Sequence, residues 1–261
     1  MNKVIELVKS TKDIILDESL VNTRREKRDA DYVTLVDIKV QEFIFKGLKS
    51  MYPNYQFMGE EKDNHSLDLS KPIWILDPLD GTTNLIHNYN QSAVSLALWN
   101  NQRLEFGVVY NPFTDELFTG YLNKGAYLNG KPIHVSNYTS MSDSLVIIGT
   151  HPYRKNNSKD TFLISHKIYL DCQDIRRSGS AALDLAYVAA GRAEAFFEKF
   201  LSPWDYAAGA IIVQEAGGII TNFDNNPLPI FSPSSVLATN GSIHSTMLEY
   251  LSQISDEANG Q

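Results

Sequence analysis

Between Pro72 and Asn84 the chain reads PIWILDPLDGTTN, and this stretch restricts the fold more than any other. Residues 73–76 form a short unbroken apolar run, the pattern of a strand buried on both faces of a sheet. The run ends on two carboxylates three residues apart, Asp77 and Asp80, with Pro78 between them. Pro78 has no N–H to give to a ladder, so the strand is expected to stop at Asp77. Asp80-Gly81-Thr82-Thr83-Asn84 then resembles a helix entry, with an oxygen-bearing cap followed by N–H groups at Gly81 and Thr82 that a helix leaves unused. Two negative charges would therefore stand at an exposed edge beside the positive end of a helix dipole, which favours an anion such as phosphate.

Two carboxylates and a phosphate repel one another unless a cation lies between them. Hard oxygen donors suit Mg²⁺, which binds through one or two carboxylates together with water and substrate phosphate. The same spacing also has a plainer reading, with Asp80 a cap and Asp77 a turn residue. Two more acidic segments bear on the choice. GEEK, residues 59–62, follows the strand-like YQFM and offers Glu60 and Glu61, a pair that is also what a solvated turn looks like. SPWDYAAGAIIVQEAGG, residues 202–218, opens a helix with Ser202 as cap and Pro203 at the first helical position. That places Asp205 in the first turn, where an acid also steadies the dipole. Trp204 beside it reads as a packing anchor.

The remaining pattern alternates strand and helix. The N-terminus has Val4, Leu7, Val8, Ile14 and Ile15 at amphipathic spacing and predicts a helix; Val40, Ile44, Leu48 and Met51 predict another, stopped by Pro53. Residues 92–122 read as an antiparallel meander. From residue 144 onward come SLVIIGT, a helix near 159–170, QDIRRSG, an Ala-rich helix through AALDLAYVAAG, AEAFFEKF, the helix of WDYAAGAIIVQEAGG, GIITNF, SVLATN and a last helix. The polar, aperiodic HVSNYTSMSDS suggests a division into 1–140 and 141–261, two halves packed as one unit.

A net charge of −8 argues against a broad grip on nucleic acid, leaving Arg154-Lys155 and Arg176-Arg177 as local anchors for a small anion. A lone Cys172 permits no internal disulfide and agrees with a reducing compartment. No 18 apolar residues run without a charge, and the N-terminus is no signal segment, so a cytoplasmic protein is expected, with neither membrane nor nucleic acid as partner.

Taken together, GEE (59–61), WILDPLDGTTN (74–84) and PWDYAAGAIIVQEAGG (203–218) closely resemble the inositol monophosphatase family of Mg²⁺-dependent, lithium-sensitive phosphatases. DYVTLVD (31–37), GVVYNP (107–112), GAYLNG (125–130) and RRSGSAALDLAYVAAG (176–191) fall in the family's order, so the resemblance covers nearly the whole chain. It implies an α/β fold of five layers, α-β-α-β-α, of the inositol monophosphatase and fructose-1,6-bisphosphatase type. A six-stranded antiparallel sheet would occupy the first half and a smaller mixed sheet the second, in a homodimer.

The resemblance also implies roles. Metal ligands would be Glu60, Asp77, Asp80, Asp205 and the carbonyl of Leu79, holding two or three Mg²⁺. Water would attack in line without a phosphoenzyme, with Thr82 and Glu60 orienting or deprotonating it and Asp80 among the catalytic groups. Gly81 and Thr82 N–H groups would hold the phosphate. Asp80, Ala181, Glu198 and Asp205 would bind the alcohol, with Glu198 pointing to a polyol such as inositol. Asp37 would help hold the metal cluster or its waters, and Lys27 is the nearest basic residue before the mobile loop that precedes it. Some members carry His-Cys before W-D where this chain has Ser202-Pro203, which removes an imidazole from the leaving-group side. His87 reads as packed or capped rather than as a ligand. The substrate would be a small phosphate ester, myo-inositol monophosphate first. Fructose 1,6-bisphosphate, a 3′-phosphoadenosine nucleotide and the 2′-phosphate of NADP are alternatives, and a non-catalytic metal-binding regulator is the reading from another class.

Overall fold

The computed structural model describes the chain except residues 22, 24, 29, 30, 63, 65, 66 and 253–261, and describes 25–28, 31, 32, 153, 154 and 157 by their backbone alone. Three short helices, α1 (Asn2–Lys9), α2 (Lys12–Ile15) and α3 (Glu18–Val21), lead into a hairpin of β1 (Arg25–Arg28) and β2 (Asp31–Val33). The single N-terminal helix expected from periodicity is thus broken after Lys9. There the Thr11 hydroxyl donates to the Val8 carbonyl at 2.6 Å and competes with the helical ladder. The side chains of Lys27 and Arg154 lie outside the described residues.

Helix α4 (Leu35–Met51) begins at the Thr34 cap, buries Val36, Val40, Ile44 and Leu48 along one stripe, and stops before Pro53. The first sheet follows: β3 (Gln56–Gly59), β4 (Ile73–Asp80), then after the short α5 (Thr82–Ile86) β5 (Ala93–Asn100), β6 (Arg103–Asn111), β7 (Glu116–Tyr121), β8 (Gly125–Leu128) and β9 (Lys131–Ile133). They lie in chain order across seven strands. The expected meander is β5 to β7. The six-stranded, wholly antiparallel sheet is corrected, because β3 runs parallel to β4, and β8 and β9 extend the far edge. Those last two are only four and three residues long, too short for an alternating pattern to register.

The second sheet takes β10 (Leu145–Ile148), β11 (Asp174–Arg176) after helix α6 (Ser158–Asp171), β12 (Ala195–Leu201) after α7 (Ala181–Ala189), and β13 (Ile219–Thr221) after α8 (Pro203–Glu215). It closes with β14 (Ser234–Thr239) and α9 (His244–Leu251). The order β11-β10-β12-β14-β13, with β10 parallel to both neighbours and the β14 pairings antiparallel, is the mixed sheet expected.

Pleating explains the layers. On β4, Ile73 and Ile75 join a core shared with α7 and α8, while Trp74 and Leu76 join the core under α1 and α4. A third core beneath α6 and α9 covers the outer face of the second sheet. The five layers are α1–α4, first sheet, α7 and α8, second sheet, α6 and α9, as the α-β-α-β-α expectation had it. Helix α8 approaches the first sheet so closely that a Cβ at Gly107 would meet the Ala208 carbonyl oxygen at 2.6 Å, and one at Gly120 the Ile212 Cα at 2.9 Å. Small residues on both surfaces let the middle layer seat, and that seating brings the start of α8 beside the end of β4.

Candidate active site

Strand β4 does not stop at Asp77. It continues to Asp80 through an irregularity in its pairing with β5, so Pro78 sits where the ladder is already interrupted and no N–H is required. The bulge delivers Asp77, 2% exposed, and Asp80 to one end of the sheet. Asp77 Oδ1 accepts from Leu79 N at 2.9 Å. Asp80 is not the cap of α5, whose N-cap is Gly81 at φ 89°, a left-handed conformation that suits glycine. Its Oδ2 instead accepts from Ser180 Oγ at 2.6 Å and Ala182 N at 2.7 Å, so it caps α7 from the far half of the chain. Ser92 Oγ and the Asn84 amide complete the joint: Ser92 donates to the Gly81 carbonyl at 2.8 Å, and Asn84 Nδ2 to the Gln91 and Ser178 carbonyls at 2.6 and 3.0 Å.

Asp205 lies in the first turn of α8 as expected, its Oδ2 accepting from Ser202 N at 2.7 Å. Ser95 on β5 ties the same turn to the first sheet by donating to the Trp204 carbonyl at 3.1 Å. Trp204 both packs on the core and lines the site. Glu60 follows β3 and donates its own N–H to Leu76 O at 3.3 Å. Glu198 on β12 is 8% exposed, and its Oε1 accepts from His151 N at 2.7 Å.

One open cleft of about 1020 Å³, its mouth included, is lined by Glu60, Asp77, Leu79, Asp80, Gly81 and Thr82 from the first half and by Ala181, Glu198 and Asp205 from the second. Asp37 is the exception among the expected residues. It lies behind the cleft, 0% exposed, with Oδ2 accepting from Thr34 N at 2.8 Å and Thr34 Oγ1 at 2.6 Å. Its Oδ1 accepts from Thr82 Oγ1 at 2.9 Å, so Asp37 holds the Thr82 hydroxyl rather than the acidic cluster. Sequence reading had passed over Asp184 and His151, which also line the cleft, as does Arg177, offered there as half of a local anchor for a small anion. Asp184 stands one turn into α7, which an i, i+4 reading from Ser180 reaches; His151, at φ 40°, has no local sequence signal. It restores an imidazole to the cleft wall from a different segment than the missing His-Cys. His87 is exposed at the end of α5 rather than packed.

The electrostatics are those of crowded acids. Burial pushes the Asp77 carboxyl well above the usual range, and the charges of Glu60, Asp80 and Asp205 push it further. Asp205 is raised well above its ordinary value by burial, then by Asp80 and Glu60. Burial lifts Asp80 to about 6 against the Ser180 and Ala182 hydrogen bonds and the Arg177 charge, and lifts Glu198 to about 7 against the His151 N–H bond. Asp184 is likewise raised by burial, and its Oδ1 is buried with no hydrogen-bond partner among the described residues. Among the described residues, no three His, Cys, Asp or Glu side chains close around a single ion-sized point. Glu60, Asp77, Asp80 and Asp205 lining one open cleft are a set of hard oxygen donors, the kind that a divalent cation takes together with water and phosphate.

A model of the inositol monophosphatase family matches residues 1–256. The chain belongs to the inositol monophosphatase family. Among curated members, the inositol-1-monophosphatase of Synechocystis is 40% identical over 228 residues, spanning 86% of this chain and 78% of that one. The Nus factor SuhB of Salmonella typhimurium is 41% identical over 199 residues, spanning 76% and 74%. The crystal structure of SuhB from Bartonella henselae superposes with a TM-score of 0.90 at 33% identity, covering 97% of this chain and 98% of that one. Among the described residues of this chain no helix is long and apolar enough to cross a membrane.

Proposed function

We propose that the protein is a Mg²⁺-dependent phosphomonoesterase acting on the monophosphate of a neutral polyol, myo-inositol monophosphate first. The observation that carries this reading is the meeting of Glu60, Asp77, Asp80 and Asp205, from three distant segments, in one cleft beside a Thr82 hydroxyl bonded to buried Asp37. Glu60, Asp77, Asp80, Asp205 and the Leu79 carbonyl would hold two or three Mg²⁺. Bound cations supply charge neutralisation for the phosphate and the leaving oxygen and lower the pKa of water.

The chain's own groups do the rest. Thr82 has one hydroxyl proton; donated to Asp37, it leaves the oxygen lone pairs to accept a hydrogen bond from the attacking water and set its direction. Glu60 takes the other proton of that water. Gly81 and Thr82 N–H groups, which α5 does not use, face the phosphate oxygens. Asp205 orients the water that protonates the leaving alkoxide, and Asp80, Glu198 and Ala181 receive the alcohol.

Charge supports a neutral leaving group. Asp184 and Glu198 join the four ligand carboxylates around the cleft, and Arg177 is the one Lys or Arg side chain among its described lining residues. A second phosphate would meet acids there, which disfavours sugar bisphosphates and nucleotides. The test is phosphate release with and without Mg²⁺ and Li⁺ from inositol 1-phosphate, fructose 1,6-bisphosphate, a 3′-phosphoadenosine nucleotide and NADP. Release from inositol 1-phosphate should be greatest, depend on Mg²⁺ and fall with Li⁺.

A second reading rests on the Nus factor name carried by the Salmonella relative: a regulator that acts by contacting a partner. Failure of every ester in the panel would put it first. A homodimer belongs to the proposal as well, since α6 leaves Phe162, Leu163, Tyr169 and Leu170 exposed, the kind of apolar patch that oligomers bury.

A further inference from the structure

Glu60 occupies the first position beyond an edge strand. Among the described residues β3 ends its sheet, so the main-chain groups on its outer side have no described strand to pair with. Side-chain amides take that place on either side of Glu60. Asn64 Oδ1 accepts from Gly59 N at 3.2 Å while its Nδ2 donates to the Gly59 carbonyl at 2.9 Å. Gln41 Oε1 accepts from Glu61 N at 3.2 Å while its Nε2 donates to the Glu61 carbonyl at 2.9 Å. With Glu60 N bound to Leu76 O, three consecutive residues are pinned from three directions. Each amide meets one donor and one acceptor, which fixes its orientation and makes it a local copy of a strand pairing.

Gln41 reaches this position from α4, one turn after Asp37 and on the same face. Both are buried, at 8% and 0% exposure. The approach requires Gly59, because a Cβ there would run into Gln41 Oε1 and come within 2.9 Å of Phe45 Cζ. One helix face therefore touches both the Thr82 hydroxyl, through Asp37, and the loop bearing Glu60, through Gln41, with a rise of about 6 Å between the two holds.

We propose that Gln41 is a positioning residue for Glu60, with Asn64 as its counterpart across the loop, so that α4 sets the spacing between the Glu60 carboxylate and the Thr82 hydroxyl. The proposal rests on reading the cleft as a Mg²⁺ site. Strand β3 supplies its own control: at the opposite end Gln56 makes the same two-point clasp to the Asp68 main chain, at 2.6 and 2.8 Å, away from Glu60.

The experiment measures Mn²⁺ binding, as a spin probe for Mg²⁺, by electron paramagnetic resonance without substrate, on the full chain and on Gln41→Met, Asn64→Ala, Gln56→Ala and Glu60→Gln. Gln41→Met should weaken Mn²⁺ binding about tenfold or more, the size usual for outer partners of a metal ligand, and Asn64→Ala should weaken it in the same direction. Gln56→Ala should leave it unchanged. Hydrogen exchange should quicken at the Glu61 amide in Gln41→Met, and KM at saturating metal should hold. If Gln41→Met and Asn64→Ala bind Mn²⁺ as the unaltered chain does while Glu60→Gln weakens it, the positioning role is wrong and the metal reading stands. Equal loss in Gln56→Ala would reduce the effect to general loosening of the loop and likewise overturn it. Should Glu60→Gln itself bind Mn²⁺ normally, the reading of the cleft fails and the proposal with it. If Gln41→Met does not fold, Asn64→Ala against Gln56→Ala makes the same comparison.

Discussion

Thr82 Oγ1 lies 2.9 Å from Asp37 Oδ1 and 3.2 Å from the Leu79 carbonyl, two acceptors for a single hydroxyl proton. Either choice leaves the oxygen facing the cleft as an acceptor, which is what orienting a water demands. Thr82→Val keeps the shape and removes that oxygen. We expect turnover at saturating Mg²⁺ to fall about 10²- to 10⁴-fold, the range of proton-transfer catalysis that is lost when the water is no longer held toward its base, with Thr82→Ser retaining most of it. Stopped phosphate-release assays measure both, and a Thr82→Val enzyme within tenfold of the original would remove Thr82 from the mechanism. This pairing was not legible in the sequence. The motif DYVTLVD singled out Asp37, but nothing local shows that its carboxylate spans 45 residues to Thr82 rather than serving the acidic cluster. Asp80 shows the same limit. Its spacing before Gly81 looked like a cap for the next helix, and it is a cap, but for a helix 100 residues later. Residue type announced the chemistry; the partner depended on how the layers meet.

Elements were more legible than partners, for a physical reason. Strands β4 to β7 and helices α4, α7 and α8 are set by apolar period and by Pro, Gly and Ser at their ends, signals carried within the segment itself. Strands β8 and β9 carry little of that signal, and the extension of β4 through Pro78 depends on its register with β5. What periodicity cannot show is how near two elements come. Gly107 looks dispensable in a strand, yet the Ala208 carbonyl oxygen and Ile211 Cγ2 would each stand 2.6 Å from a new Cβ there. Backbone on α8 cannot swing aside as a side chain can. Gly107→Ala should therefore destabilise the protein by about 1–3 kcal/mol, read as a lower urea midpoint at unchanged slope. A neutral or stabilising result would mean that the middle layer is looser than its small residues indicate.

At the scale of the whole molecule, the cleft holds more acid than the fold can keep ionised alone, and stability should report it. Burial first, then neighbouring charge, raises Asp37, Asp77, Asp184 and Asp205, with Asp80 reaching about 6 and Glu198 about 7. In an unfolded chain these carboxyls titrate near 4. Between those values the folded state binds more protons than the unfolded one, so stability falls as pH rises. The contribution is fully present below about pH 4 and is lost as pH passes through 6 to 7 and above. Buried His244 works the other way, its pKa lowered by burial, and costs stability only as pH drops below about 6.5. Exposed Asp17, Asp68 and Asp115 and half-buried Asp174, lowered chiefly by hydrogen bonds, act below the window in question. Six raised carboxyls against one lowered imidazole decide the sign. Protein stripped of divalent ions with a chelator should show a falling thermal midpoint from pH 5.5 to 8.5. Excess Mg²⁺ should flatten or reverse that slope, because ionised carboxylates bind the cation and its binding favours the folded state more as they deprotonate. A chelated protein whose midpoint stays level or climbs over the same range, with no added effect of Mg²⁺ at the alkaline end, would mean that the acids of the cleft are neutralised by something other than protons or a divalent ion.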